Sequence, residues 1–395
     1  MVTTEFTSHE LRFASSTSDS FEYLVGLYYA DADTARTFSR GPVFGASFDA
    51  TAGTESMAAF GQATVHLSET TRLNIGGRYN REEISVDFLN VLTTDRFVNS
   101  DSEGVFLGKV SLQHDLNDQV MVFASATKGY KGQAYDITSS FVQDRADNPV
   151  KSETSLALEL GAKGTYFDGQ LQLNAVAFHT GYDDYQAQNT TIDGGAITLK
   201  VNNVGSLKTY GLEVDGVALI GENASVNFSV AYIKATIDDW VDAGCFARQA
   251  VDISPTTGCR TVGGIEIQDL SGEDLNNSPD LKLTLGGQYD IGLDSLPFDG
   301  VVNVNYVWQD ATHFALLNNP LTEQDAYGIM NLSVGLVERE DERYQLTAFV
   351  NNVFDKSYAV NIDDASGGLF RAPATTHILP RGAERYAGVR LRLNF

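Results

Sequence analysis

The chain has 395 residues, with 36 Gly, 22 Phe and 17 Tyr but only 8 Pro, and its 52 acidic against 27 basic side chains give a formal charge of −25. Phosphate backbones are held by clustered Lys and Arg, so this charge excludes nucleic acid as a partner. No apolar run approaches the roughly 20 residues of a membrane helix, which excludes a helical membrane protein but not a barrel, whose strands need only about 9–11 alternating residues.

The first residues, Met1 to Thr7 (MVTTEFT), have no basic stretch followed by an apolar one and so give no secretion signal. Alternating segments then follow at 10–15, 21–30, 57–68, 72–88, 104–116, 119–130, 154–167, 170–182, 197–220, 224–238, 280–291, 301–312, 326–338, 343–354 and 384–395. The period of two is clear where Leu281, Leu283 and Leu285 alternate with Lys282, Thr284 and Gly286. These are about fifteen strands, many of them longer than the roughly 5–6 residues usual in soluble sheets.

The connections alternate in length. Tight turns are expected at 16–19, 69–71, 117–118, 168–169, 221–223 and 340–342, and a longer one at 292–300. Long polar loops are expected at 31–55, 89–102, 131–153, 183–196, 239–279, 313–325 and 355–381. A meander of antiparallel neighbours sorts its connections by end in this way, as barrels with short periplasmic turns and long external loops do. A soluble sandwich remains an alternative at this point.

The last strand gives the direction. Val389, Leu391, Leu393 and Phe395 share one face, and Gly388, Arg390, Arg392 and Asn394 the other. An apolar face backed by two Arg suits a wall between lipid and a wet lumen. The same alternation assigns Lys109, Glu159, Lys163, Asn227, Gln288, Arg390 and Arg392 to that lumen. Tyr28, Tyr29, Phe167, Tyr182, Trp308 and Phe354 fall near strand ends, where aromatic girdles are expected.

Several stretches carry a family resemblance. They are His9 to Phe13 (HELRF), Val122 to Asp136 (VFASATKGYKGQAYD), Val201 to Val214 (VNNVGSLKTYGLEV), Phe349 to Tyr358 (FVNNVFDKSY), and the closing set Tyr386, Gly388, Leu391, Leu393 and Phe395. In this order they resemble the barrel of TonB-dependent outer-membrane receptors. The resemblance implies an all-β fold, a transmembrane antiparallel meander barrel with about fifteen of the family's roughly 22 strands. Residues 1–395 would form the carboxyl-terminal portion of the barrel domain, with no plug and no signal peptide, from a receptor truncated at its amino terminus.

It further implies a place in the bacterial outer membrane, among lipid and lipopolysaccharide. The function implied is TonB-energised uptake of a scarce substrate: siderophore-bound iron, cobalamin or an oligosaccharide. The TonB complex would act through the missing amino-terminal part, and the barrel-assembly machinery would read the closing set. A passive diffusion porin and a structural surface barrel are the alternatives.

Within this reading, Cys245 and Cys259 share one external loop, where an oxidising setting favours a disulfide over two free thiols. Tyr135, Phe141, Phe246, His313, Phe314, Phe370 and His377 lie in loops over the mouth, as candidate stacking surfaces for a ligand or as loop packing. The acidic stretch 268–275 lacks the spacing of a calcium loop and reads as solvated. Neither metal-ligand spacing among the six His nor a nucleophile motif is present, so no enzyme activity, metal site or cofactor is expected.

Overall fold

The computed structural model describes every residue except 17–19, 42–44, 194–195, 247–248, 250–257, 365–373 and 395. Fifteen strands pair with their neighbours into one antiparallel sheet. They are β1 (Val2–Ala14), β2 (Phe21–Arg40), β3 (Ala46–His66), β4 (Thr71–Asn90), β5 (Arg96–Asn117), β6 (Val120–Lys131), β7 (Glu153–Tyr166) and β8 (Leu171–Asp183). The sheet continues through β9 (Ser206–Ile220), β10 (Ala224–Asp239), β11 (Leu281–Ile291), β12 (Phe298–Gln309), β13 (Tyr327–Glu338), β14 (Tyr344–Asn351) and β15 (Tyr386–Leu393). Among the described residues, the outer edges of β1 and β15 pair with no further strand.

The faces follow from register. On β7, Leu156, Leu158 and Leu160 are exposed on the outward side, while Ala157, Glu159 and Gly161 face inward. Glu159 lies opposite Ser125 and Phe178, Ser125 opposite Ser111, and Phe178 opposite Gly211, so the inward face mixes polar side chains with a ring laid over a glycine. A soluble sandwich would bury those leucines; this wall presents them to its surroundings, as lipid contact demands.

The seven short connections fall at one end of the sheet, as expected. The other end differs from expectation at its first two loops. Residues 31–55 and 89–102 are not loops. There β2 pairs with β3 as far as Arg40 and Ala46, and β4 with β5 as far as Leu89 and Arg96, leaving only short tips. The reason lies in the strands' chemistry. On β4 the outward residues change from Leu73, Ile75 and Tyr79 to Arg81, Glu83 and Ser85, while the inward ones change from Arg72, Asn74 and Arg78 to Ile84, Val86 and Phe88. The alternation persists with its faces exchanged, as it must once the strand leaves lipid for water.

The segment 197–220 is also two elements rather than one strand. Ala196–Asn203 pairs with Gln186–Asp193 in a separate hairpin, and β9 begins only at Ser206. Gly205 makes the corner at φ +36°, where an added Cβ would sit 1.5 Å from the Asp239 carbonyl oxygen. Only glycine fits that approach.

Because the wall's apolar face points outward, the buried cores sit at the loop end. One joins Phe48, Ile84, Val86 and Phe88 of β3 and β4 to Tyr135, Phe141 and Ala146 of the segment after β6. Its rings run in series, Phe38 to Phe48 at 5.3 Å, Phe48 to Phe88 at 4.9 Å and Phe88 to Phe141 at 4.8 Å between centroids. The other joins Leu207 and Ile237 of β9 and β10 to Ala187, Val204, Trp240, Ala243 and Leu270.

Candidate functional site

Lys109, Glu159, Lys163, Asn227, Gln288, Arg390 and Arg392 all fall on the inward face by register. Lys109 lies opposite Thr127, and Thr127 opposite Ala157, two residues from Glu159. Asn227 pairs with Gly286, two residues from Gln288, and Arg390 and Arg392 lie opposite Thr347 and Gln345. Within the wall, inward cations rest over rings: Arg78 at 5.1 Å from the Tyr28 centroid and 5.8 Å from Phe60, Lys163 at 5.9 Å from Phe123, and Arg390 at 5.7 Å from Phe349. Phe349 itself lies over Gly388, where a Cβ would meet its Cζ at 2.7 Å, so the ring can sit flat against the wall and hold Arg390 above it. Tyr28 and Tyr182 are therefore not girdle residues. Tyr28 faces inward beneath Arg78, and Tyr182 packs against the core around Ile237.

The closing strand and the Asn-Asn stretch meet here. Tyr386 stands edge-on to Phe349 with centroids 6.1 Å apart, and Leu391 and Leu393 are exposed on the outer face. Phe395 lies outside the described residues. Asn352, 1% exposed at φ +51°, accepts from the Lys356 amide through Oδ1 and donates from Nδ2 to the Lys356 carbonyl. Asn331 accepts from its backbone amide at 2.9 Å. Asp355 accepts from the Arg385 amide, tying the end of β14 to the start of β15. The Asn-Asn-Val-Phe-Asp stretch is thus a latch between β14 and the last strand.

The loop aromatics are not gathered into one surface. Tyr135 and Phe141 meet edge to face at 6.5 Å but are buried in the first core, at 8% and 2% exposure. Phe246 is half-buried beside the disulfide that joins Cys245 to Cys259, whose Cα atoms are 5.7 Å apart. His313 pairs with Glu323 in a two-residue ladder, and the Phe314 amide donates to the Thr322 carbonyl. His377 lies exposed on the hairpin of Asn361–Asp364 with Thr375–Ile378. Phe370 lies outside the described residues. Residues 268–275 are not a solvated loop: Gln268 and Leu270 are buried, and Asp274 pairs with Lys234 at 2.8 Å.

The cavities lie where the segment after β6 folds onto the inward side of β2 and β3. One, of ≈ 440 Å³, is lined by Thr34, Arg36, Ala52, Tyr135, Asp136 and Val201 among others. A second, of ≈ 170 Å³, shares Asp136 with it and adds Asp144, Arg145, Asn148 and Lys200. Arg36 donates to the Ile137 carbonyl at 2.9 Å while its guanidinium covers Phe38 and Phe48 at 5.6 and 5.5 Å. Asp136 accepts from the Val201 amide at 3.1 Å and faces Arg145 at 3.4 Å. Burial pushes its carboxyl above the ordinary range, outweighing the Val201 hydrogen bond and the pull of Arg145, Lys200 and Arg36.

Sequence reading missed this group. Its cations come from positions 36, 145 and 200, and only the packing of a loop and a hairpin against β2 brings them together. The signals that the sequence did carry were Tyr135 and Asp136, at the end of the stretch from Val122, and Val201, at the start of the next.

Comparison with known proteins agrees with this architecture. The family described as TonB dependent receptor-like, beta-barrel, matches residues 3–353. The ferripyoverdine receptor of Pseudomonas aeruginosa is 24% identical over 326 residues, 78% of this chain and 33% of that protein. The ferric-pyoverdine 358 receptor of Pseudomonas putida is 26% identical over 296 residues, 74% of this chain and 29% of its own length. The chain therefore spans about a third of the curated relatives it matches. Among solved structures, the ferric yersiniabactin uptake receptor FyuA from Yersinia pestis aligns over all of this chain and 55% of its own, with a TM-score of 0.76 and 17% identity. The unliganded ferric citrate transporter FecA aligns over the same shares with a TM-score of 0.70 and 18% identity. With the family's match running from β1 through β14, an outward apolar wall and a polar inner face, the chain belongs to the TonB-dependent receptor-like β-barrels of the outer membrane.

Proposed function

We propose that the protein is the barrel part of an outer-membrane receptor that takes up a ferric siderophore in a TonB-energised step. The observation that carries this reading is the polar, cation-bearing inner face behind an outward apolar wall, in a chain of this family. The relatives named above are receptors for ferripyoverdine and ferric pyoverdine, which supports iron chelates over cobalamin or sugars. The barrel performs no bond chemistry in this reading. Its loops capture, and its inner face conducts.

Lipid and lipopolysaccharide contact the outward leucines, the assembly machinery reads the strand from Tyr386, and the TonB complex acts through a segment beyond this chain. A passive porin would not match this family's model from residue 3 to residue 353. The test is growth on ferric chelates as sole iron source after deletion of the gene. Loss of growth on one chelate, restored by the gene only in cells with an intact TonB complex, is expected. Restoration without TonB would establish the porin instead.

A further inference from the structure

The segment between β6 and β7 leaves the wall and returns to it through a narrow neck. Ala134 and Val150 exchange both backbone hydrogen bonds there, at 3.0 and 2.9 Å. The buried Gln186 side chain spans the same neck, donating to the Gly132 carbonyl at 2.7 Å and to the Lys151 carbonyl at 2.8 Å. Beyond it, Tyr135, Phe141 and Ala146 pack into the first core. Loosening the neck would free this lobe from the inward side of the wall.

Two carboxylates grip the neck, one on each side. Glu82 of β4 and Glu103 of β5 lie directly opposite each other in register, on the inward face and beyond the last outward apolar residue of β4, Tyr79. Glu82 holds the incoming side: its Oε1 lies so close to Gly132 that a Cβ there has no room, and the Tyr130 hydroxyl donates to the same oxygen at 3.5 Å. Glu103 holds the outgoing side, where the Ser152 hydroxyl donates to its Oε1 at 2.9 Å. Like charges directly opposite on neighbouring strands repel. Among the described residues neither carboxylate enters an ion pair. Lys131 faces Glu153 at 3.9 Å, and Arg78, lower on β4, is held by Asn80 and lies over Tyr28 and Phe60. Ser56 of β3, opposite Glu82, donates to Asn80 instead, and Asp101, further along β5, adds a third carboxylate near Tyr135. Burial pushes the Glu82 carboxyl above its ordinary range against the lowering pull of the Tyr130 hydroxyl, and Glu103 pushes it the same way. The Tyr130 hydroxyl is itself pushed upward by burial and by both carboxylates, so it remains a donor.

We propose that Glu82 and Glu103 form a proton-operated latch on this lobe: with one proton between them they hold both sides of the neck against β4 and β5, and with both ionised they release it. Closing the neck raises Glu82, so closure takes up a proton. The closed form is therefore favoured in acid and weakens as pH climbs from the ordinary carboxyl range through the raised one. The lobe also carries a standing cost when closed. Gln133 Nε2 and the Tyr135 hydroxyl, just past the neck, are buried with no hydrogen-bond partner among the described residues, and water would meet them once the lobe lifts. The latch goes beyond the receptor reading and does not depend on which solute is taken up.

The test is hydrogen–deuterium exchange of the full chain in detergent between about pH 4 and pH 8, with the intrinsic pH dependence of exchange divided out. Mass spectrometry reads residues 131–153 and, as a reference, residues 156–166 of β7. Protection of the neck should fall by up to about tenfold per pH unit above the ordinary carboxyl range, while β7 keeps its protection. Glu82→Gln, uncharged at every pH, and Glu103→Gln, which removes the opposing charge, should each keep the neck protected at the upper end and flatten the profile. Glu222→Gln, in the exposed turn between β9 and β10, should keep the wild-type slope. A flat wild-type profile overturns the latch, and so does an unchanged slope in Glu82→Gln. Protection lost at every pH in both Gln variants, with β7 still protected, would make the carboxylates plain hydrogen-bond anchors and overturn it equally.

Discussion

At the scale of single residues, the side chains that matter most hold connections rather than ligands. Asn352 is 1% exposed and makes donor and acceptor bonds to Lys356 while its amide reaches Asn331. Replacing it with Ala leaves those backbone groups unmet inside the protein. We expect Asn352→Ala to cost about 2–3 kcal/mol, read as a lower unfolding midpoint in detergent, while Asn352→Asp, which keeps the acceptor, costs less. Equal losses for the two would mean that the latch is packing alone. The Asn-Asn motif was legible in the sequence as part of a family resemblance, but its purpose was not. Its partners lie at 331 and 385, and nothing local marks them. The cluster of Arg36, Arg145 and Lys200 was hidden for the same reason, since charge adjacency across a loop and a strand is a tertiary fact.

At the scale of elements, period-two alternation was enough to count the wall strands, and their registers agree with it. It failed at two kinds of place. Where β2 to β5 leave the lipid, the outward residues turn polar, and the composition of 31–55 and 89–102 looks like loop although the alternation continues. Where the chain turns a corner at Gly205, the alternation runs straight through the break and conceals it. The exchange of faces also yields a sharp test, because adjacent residues should respond oppositely. Leu158 is exposed on the outer face of β7 and Ala157 faces inward, so Leu158→Arg should cost about 2–4 kcal/mol and lower the amount assembled in the membrane. Ala157→Arg should assemble normally. Equal tolerance of both would place water, not lipid, outside this strand.

For the molecule as a whole, the meander separates two ends with different chemistry. Lys151 and Arg381 are exposed on the long-loop side, and Arg339 and Arg343 on the short-turn side. Trypsin added to intact cells should cut after Lys151 or Arg381 and spare Arg339 and Arg343, which become cleavable only once the membrane is opened. Cleavage at the short turns of intact cells would invert the orientation. Fold class could be read from the sequence because a wall repeats one rule fifteen times, and errors at single strands do not accumulate. The site could not, because it occurs once and is assembled from three separate stretches.

The paired extension of β2 with β3 has a consequence in height. The outward apolar residues of β2 end at Tyr29, and Arg36 stands seven residues further along the same strand. At roughly 3.3 Å per residue and a tilt of about 40°, this lifts the guanidinium some ~18 Å above the hydrocarbon boundary. Surface charge fades over a screening length of about 8 Å in physiological salt. The strands therefore work as a stilt: they hold the loop-end core, with the Arg36 guanidinium over Phe38 and Phe48, clear of the electrical shadow of the headgroups.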